Sequence, residues 1–119
     1  MPDVTRIPTP HSYSAAVAAG DLVFLGLHRG SGATFDEQLH DAVRQVAATL
    51  EQCGAHLHDL VKVQVWLADI ADLPAMEHAF VEHFPADGFP ARMTATTQFW
   101  DEDCRVMLEG VAHRGAGRP

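Results

Sequence analysis

The sequence predicts an α+β domain in which two helices cover one face of a single mixed sheet. Apolar residues recur at helical spacing in two segments and alternate at strand spacing in several others. The two kinds of segment are interleaved: a β-hairpin, a helix, a strand, a second helix and two closing strands. We interpret residues 1–119 as one domain.

The first predicted unit is the β-hairpin. Apolar runs cover residues 15–19 and 22–27, and Gly20-Asp21 between them is a short turn signal. The two ends of the chain, MPD and RGAGRP, lack any periodic pattern and are expected to be loose.

The first predicted helix has a start signal and a stop signal. Thr34 and Glu37 match a capping box, in which each side chain satisfies one backbone N–H of the first turn. Gly54 supplies the left-handed residue that commonly ends a helix. An amphipathic helix is therefore expected from about Phe35 to Cys53.

The second predicted helix follows Asp72, which is expected to cap it, and ends before Pro85. Pro74 is tolerated in its first turn. Its expected apolar stripe is Leu73, Met76, Phe80 and Phe84.

Three strands surround this helix in sequence. Residues 61–67 alternate, with the core face expected to carry Val61, Val63, Val65 and Leu67. In the closing strands, one face carries Arg92, Thr94 and Thr96, and another carries Met107, Glu109 and Val111. A sheet face with Lys62, Gln64, Trp66 and Thr94 is too mixed for a monomer core and too apolar for water, so we expect subunits to associate through it.

Composition disfavours several classes of function. The formal charge of −8, with eight Lys and Arg spread along the chain, argues against nucleic acid as a partner. No apolar run approaches a bilayer span and the N-terminus has no leader pattern, so we expect no membrane partner and a cytoplasmic protein. Cys53 and Cys104 are expected to be free buried thiols, and no spacing suggests a metal site. A small-molecule ligand is the remaining expectation.

Four segments resemble the reactive intermediate deaminase (RidA/YjgF) family: SYSAAVAAGDLVFLGL, GAHLHDLVKVQVWLADIADLPAMEHAFVEHF, FPARMTAT and VMLEGVA. The resemblance runs from about Ile7 to Ala112. It implies a chorismate-mutase-like fold and a homotrimer with a barrel-like core, with clefts between subunits that bind small carboxylates. It also implies hydrolysis of enamines and imines such as 2-aminoacrylate to 2-keto acids and ammonia, with no metal or organic cofactor.

The resemblance also implies roles for particular residues. Arg92 in "PAR" matches the arginine that pairs with the substrate carboxylate, and a planar guanidinium suits that task. Glu109 matches the glutamate thought to activate the attacking water, so these two are the expected catalytic residues. Structural alternatives are an ion pair between Arg92 and a neighbouring acid, and an ion pair between Glu109 and Arg105. Tyr13 matches a tyrosine of the cleft, or else it only packs in the hairpin.

Other positions depart from the family pattern. Gly26, Leu27 and His28 replace a serine-glycine-glutamine segment, and His28 is an acid or base candidate near neutral pH. Glu77 replaces an asparagine, and its carboxylate would repel an anionic substrate unless it faces elsewhere. The full expected substrate-binding set is Tyr13, Gly26, Leu27, His28, Glu77, Phe89, Thr94 and Trp100. Phe89, Phe99 and Trp100 flank the Arg92 strand and could form an apolar wall, or else pack in loops or between subunits.

Three hypotheses follow for the function. The first is an enamine/imine deaminase, and the second is a divergent family member acting on another carbonyl or imine in a specialised pathway. The third is a non-catalytic trimer that binds small carboxylates, because fold alone does not confer activity.

Overall fold

Six strands form one mixed sheet with two helices against one face, in a computed structural model that describes residues 3–118. The strands are β1 (Val4–Pro8), β2 (Ser14–Ala19), β3 (Leu22–Arg29), β4 (Leu60–Leu67), β5 (Ala91–Thr96) and β6 (Val106–His113). The helices are α1 (Phe35–Gln52) and α2 (Leu73–His83), and single 3-10 turns cover Leu57–Asp59 and Ile70–Asp72. The order across the sheet is β1-β2-β3-β6-β4-β5, and only β4 and β5 pair in parallel. The predicted α+β fold is confirmed.

Local signals placed the hairpin and the first helix correctly. Gly20 turns the β2–β3 hairpin with a φ of 60°. The Thr34 hydroxyl accepts from the Glu37 backbone N–H at 3.1 Å, and the Glu37 carboxylate accepts from the Thr34 N–H at 3.2 Å, which is the predicted capping box. Gly54, with a φ of 72°, follows the helix end as expected.

The start of α2 differs from the prediction. Asp72 stands at the cap position, but its side chain makes no capping hydrogen bond. Both of its carboxylate oxygens instead accept from Nη2 of Arg105, at 3.3 and 3.1 Å. The helical segment begins earlier than predicted, because the 3-10 turn Ile70–Asp72 runs directly into α2 and Asp72 already has helical backbone angles. The Asp69 carboxylate caps this turn instead, accepting from the Ala71 backbone N–H at 2.9 Å.

The core lies between the sheet and the helices. One correction concerns Val61, which is 41% exposed, whereas Leu60 before it is buried. A β-bulge is the cause: Leu60 pairs with Ala112 but Lys62 pairs with Val111, so two successive side chains of β4 face outward before the alternation resumes at Val63. Fully buried members of the core include Leu39, Leu50, Val63, Val65, Leu67, Met76 and Val106.

The chain ends are more ordered than expected. Strand β1 was not predicted, yet it pairs with β2 from Val4 to Pro8. Arg114 donates to the carbonyl oxygens of Cys53 and Gly20, at 2.8 and 2.7 Å, so the C-terminal segment up to residue 118 is held against the body of the protein. The expectation of loose ends was wrong there; for Met1, Pro2 and Pro119 it lies outside the described residues.

The sheet face opposite the helices, which we call the open face, is partly apolar. Its exposed large side chains are Leu22, Phe24, Leu27 and Met93. Lys62, Gln64 and Glu109 lie on the same face. Thr94 does not, because it pairs with the buried Val65 and points to the helix side, so its predicted place on this face was wrong. The association of subunits through the open face stays a prediction.

Two further predictions concern side chains and hydropathy. Cys53 and Cys104 are both free and buried, as expected. Neither helix found between residues 3 and 118 is long and apolar enough to cross a membrane.

Candidate functional site

Arg92 lies on β5, the edge strand of the sheet, and points toward α2. It pairs with the buried Val63 of β4, which fixes its side chain on the helix side. Its Nη2 donates to Oε1 of Glu77, and its Cζ lies 5.4 Å from the centroid of the Phe80 ring. The side chain is 25% exposed, so most of it packs against the protein, while the residue as a whole stays accessible to solvent. The ion pair with a neighbouring acid, one of the two interpretations of Arg92, is thus present in the single chain.

Thr94 adds a hydroxyl on the same face, two residues along β5. Its Oγ1 is buried and has no hydrogen-bond partner among residues 3–118. A buried hydroxyl without a partner costs free energy, so such groups are rare unless water or a ligand satisfies them. Arg92 and Thr94 therefore offer adjacent donors for an anionic oxygen.

Glu109 lies on the other face of the sheet. It pairs with Gln64, the residue after Val63, and successive residues of a strand point to opposite faces. It lines a shallow depression of about 320 Å³ on the open face together with Phe24, Lys62 and Gln64. The alternative pairing with Arg105 does not occur, since that arginine binds Asp72. Arg92 and Glu109 of one chain therefore cannot meet the same small ligand.

A larger cleft of about 700 Å³ gathers another part of the predicted set. Tyr13, Leu27, His28 and Trp100 all line it, and Trp100 is fully exposed. Gly26 lies beside it, where a Cβ would approach the Ser14 carbonyl oxygen to 2.8 Å. The strands β2 and β3 can come this close only because residue 26 has no side chain. Local backbone packing thus explains the glycine.

His28 is buried at the back of this cleft. Its Nδ1 is 2.8 Å from the Gly26 carbonyl oxygen, which can only accept, so Nδ1 carries the proton. Burial lowers the pKa of His28, although the hydrogen bond to Gly26 opposes the shift, so the ring is neutral and Nε2 accepts from the Thr49 hydroxyl at 2.9 Å. Both ring nitrogens are occupied. The role of His28 as an acid or base stays a prediction.

The three aromatic residues of the predicted wall, Phe89, Phe99 and Trp100, line three different hollows, and that of Phe99 holds about 310 Å³. Phe89 lines a separate hollow of about 470 Å³ with His58, Pro85 and Asp87. Trp100 belongs to the cleft with Tyr13. The single chain therefore carries three separate groups of candidate residues, one around Arg92, one at Glu109 and one in the Tyr13 cleft, with Phe89 apart from all of them.

Sequence reasoning missed three contributors. Phe80 was assigned only to the helix stripe, yet its ring packs under Arg92. Thr49 anchors His28 from α1. At the rim of the Tyr13 cleft, Arg29 Nη1 donates to Asp101 Oδ2 at 2.8 Å, and the pKa of Asp101 is lowered first by the hydrogen bond from the Asp103 backbone N–H and then by this bond. No local spacing signals a pair separated by 72 positions.

Metal-ligand geometry is not found in the part of the chain that the structure describes. Between residues 3 and 118 no group of three or more His, Cys, Asp or Glu side chains is arranged to hold an ion.

Comparison with known proteins gives consistent matches over nearly the whole chain. Residues 4–114 match the family described as Endoribonuclease L-PSP. A 2-iminobutanoate/2-iminopropanoate deaminase of Dermatophagoides farinae is 30% identical over 107 residues, which cover 83% of each protein. The chloroplastic Reactive Intermediate Deaminase A of Arabidopsis thaliana is 32% identical over 84% of this chain and 57% of its own length. A YjgF-family crystal structure from Neisseria meningitidis superposes with a TM-score of 0.89 at 26% identity, covering 94% of this chain and 95% of that one.

Proposed function

The chain belongs to the Endoribonuclease L-PSP family, which includes the YjgF and RidA proteins, and on that premise we propose that it hydrolyses reactive imino acids to 2-keto acids and ammonia. Relatives named as imine deaminases, at about 30% identity, support the reaction class. The observation that carries the proposal for this chain is the pair of donors on one face of β5, the mostly packed but accessible side chain of Arg92 and, two residues along, the buried hydroxyl of Thr94, which lacks a partner among residues 3–118.

The substrate carboxylate is the group that these donors fit. Arg92 has N–H groups beyond the one that reaches Glu77, and a guanidinium can grip both oxygens of a carboxylate in one plane. Thr94 Oγ1 would gain the partner it lacks. Holding the carboxylate at two points would fix the position of the neighbouring imine carbon.

The rest of the site would come from a second subunit. Glu109 faces away from Arg92 within one chain, but it lies on the open face, where exposed apolar side chains favour burial against another copy. In the proposed homotrimer, the β5 edge of one subunit approaches the open face and the Tyr13 cleft of the next. Each intersubunit cleft would then contain one Arg92 and one Glu109.

The proposed chemistry needs only water and the two side chains. Starting from the protonated imine, Glu109 accepts a proton from a water molecule while the water oxygen forms a bond to the imine carbon, giving a tetrahedral aminoalcohol. The Glu109 carboxyl group returns this proton to the nitrogen. The regenerated carboxylate then takes the hydroxyl proton, so the carbonyl forms as the C–N bond breaks, and this proton leaves with the ammonia as ammonium. Arg92 stays bound to the carboxylate throughout, so the charge that it stabilises does not change.

Two other functions stay open. A divergent substrate is favoured by the exposed Trp100 in a cleft large enough for more than aminoacrylate. A non-catalytic carboxylate-binding trimer would use the same anchor without turnover. The acidic net charge of −8 gives no support to RNA as the substrate.

Turnover of 2-aminoacrylate generated in place by a partner enzyme tests the proposal, with ammonia and keto acid as the products measured. Replacing Arg92 by Ala should lower kcat/KM by tens- to thousands-fold, about 2 to 5 kcal/mol, because a desolvated ion pair with the substrate is lost. Arg92→Lys keeps the charge but not the planar fork, and should also weaken binding. Arg44→Ala is the matched control, since Arg44 is exposed on α1 and pairs there with Asp41, away from Arg92.

The outcome separates the hypotheses. Unchanged binding of a keto-acid analogue by Arg92→Ala would make the guanidinium structural and contradict the deaminase proposal. Binding through Arg92 without turnover of any imine would leave the non-catalytic trimer.

A further inference from the structure

Glu77 binds the guanidinium of Arg92, the group to which the proposed function assigns the substrate carboxylate. Nη2 of Arg92 donates to Oε1 of Glu77. Among residues 3–118, this is the one hydrogen bond that the Arg92 side chain makes. Glu77 projects from α2 and its side chain is 54% exposed. The carboxylate thus reaches Arg92 from the solvent side of the helix, through one oxygen.

A second ion pair in the same protein shows how different this contact is. Arg105 meets Asp72 through both carboxylate oxygens, and the Asp72 side chain is only 15% exposed. That arrangement is suited to a permanent structural pair. The contact between Arg92 and Glu77 uses one oxygen and a half-exposed carboxylate, so a ligand can displace it or share it.

The opposite charges of Arg92 and Glu77 decide which class of ligand binds most tightly. Arg92 and Glu77 together are neutral, so a simple monocarboxylate is attracted by one and repelled by the other. An amino or protonated imino acid carries a carboxylate and a cationic nitrogen on neighbouring carbon atoms. Such a zwitterion can place its carboxylate on Arg92 and its nitrogen toward Glu77, so both interactions are attractive.

We propose that Glu77 is a specificity-determining residue that makes the Arg92 site select zwitterionic imino or amino acids over the keto acids of the same carbon skeleton. The inference rests on the proposed function, in which Arg92 binds the carboxylate. Glu77 would also assist product release. Hydrolysis converts a net-neutral imino acid into an anionic keto acid, and the Glu77 carboxylate, which attracted the substrate nitrogen, repels this anion. Product inhibition is correspondingly weak.

Calorimetric titration with 2-aminobutanoate and 2-oxobutanoate tests this, because the two probes differ only at C2 and neither reacts. The parent protein should bind the amino acid more tightly than the keto acid. Glu77→Gln, which keeps the size of the side chain, should tighten the keto acid about three- to tenfold and weaken the amino acid by a similar factor, a modest effect because the group is half exposed. Glu82→Gln is the control, since Glu82 lies on the same helix and is equally exposed but contacts His40 and His78 instead.

The results distinguish a failure of the Glu77 proposal from a failure of Arg92 as the carboxylate anchor. If both probes bind, if Arg92→Ala removes that binding, and if Glu77→Gln leaves the ratio of the two Kd values unchanged, Glu77 has no role in selectivity while the carboxylate anchor stands. If neither probe binds, or if binding survives Arg92→Ala, the anchor itself is wrong and the assignment of Glu77 falls with it. If Glu82→Gln shifts the ratio of the two Kd values as much as Glu77→Gln does, the change reflects the net charge of the protein, and the inference is overturned.

Discussion

Mixing two inactive variants should restore activity, because the proposed site draws Arg92 and Glu109 from different chains. In one chain these residues lie on opposite faces of the sheet, since Arg92 pairs with Val63 and Glu109 with the next residue, Gln64. The variant Arg92→Ala destroys the anchor in every site of its own trimer, and Glu109→Gln destroys the proton acceptor. A mixed trimer can contain a site with both groups intact.

The fraction of intact sites in mixed trimers sets how much activity should be recovered. With equal amounts of the two chains and random assembly, half of the subunits keep Arg92 and the other half keep Glu109. A site works when its arginine donor is a Glu109→Gln chain and its glutamate donor is an Arg92→Ala chain, so about one quarter of the sites are intact. Activity should therefore return to about one quarter of the parent value per site.

The assay is imine hydrolysis after the two variants are unfolded together and refolded, with native mass spectrometry to verify that mixed assemblies formed. A chain carrying both substitutions, refolded with Arg92→Ala, is the negative control, because no pairing of those chains supplies an intact Glu109 and Arg92 together. Mixed trimers that stay as inactive as the separate variants would refute the reasoning. Glu109 would then serve no site that also contains Arg92.

The remaining predictions concern stability and cofactors. Thr34→Ala should lower the free energy of unfolding by about 1 kcal/mol in denaturant titration, whereas Thr34→Ser should restore most of it, because the capping hydroxyl returns. Gly110→Ala should cost more, about 2 kcal/mol or above, since its Cβ would lie 2.2 Å from the Lys62 carbonyl oxygen and backbone must move; a loss below 0.5 kcal/mol would contradict this. Burial holds the pKa of His28 below its ordinary 6.5, so its contribution to stability should be full above pH 6.5 and fall by at most about 1.4 kcal/mol per pH unit until the pH passes the lowered pKa. His28→Gln should remove this contribution and leave that of His83, whose pKa burial also lowers. Imine hydrolysis should survive exhaustive chelation; loss of turnover that one metal restores would overturn that expectation.

Local sequence signals predicted those elements whose causes lie within a few residues. The capping box joins Thr34 to Glu37 three positions away, and Gly20 needs only its own backbone freedom to turn the hairpin. The alternation of residues 63–67 likewise indicates which side chains of β4 are buried. These features require no knowledge of what packs against them.

Features that depend on distant partners were missed. The bulge that exposes Val61 arises in the pairing of β4 with β6, about fifty positions away, and nothing in the run of valines signals it. The C-terminal segment is held by Arg114 bonds to Cys53 and Gly20, which a pattern of glycines cannot indicate. The carboxylate of Asp72 likewise binds the distant Arg105, while Asp69 caps the 3-10 turn that precedes α2.

The candidate site shows the same division at the level of function. The types of residue could be predicted one at a time, but their placement depends on which face each strand presents, and Thr94 was assigned to the wrong one. Once the faces are known, the separation of Arg92 from Glu109 constrains how copies can associate. The patch that offers the β5 edge differs from the open face that would receive it, so the proposed contact is heterologous; repeated from copy to copy, such a contact gives a ring when the rotation closes and an open filament otherwise. The proposed trimer is the closed case, and it would place an Arg92 and a Glu109 from neighbouring chains in every cleft while burying the exposed apolar side chains around Phe24. The proposed assembly and the proposed chemistry therefore stand on the same geometry, and the mixing experiment tests both.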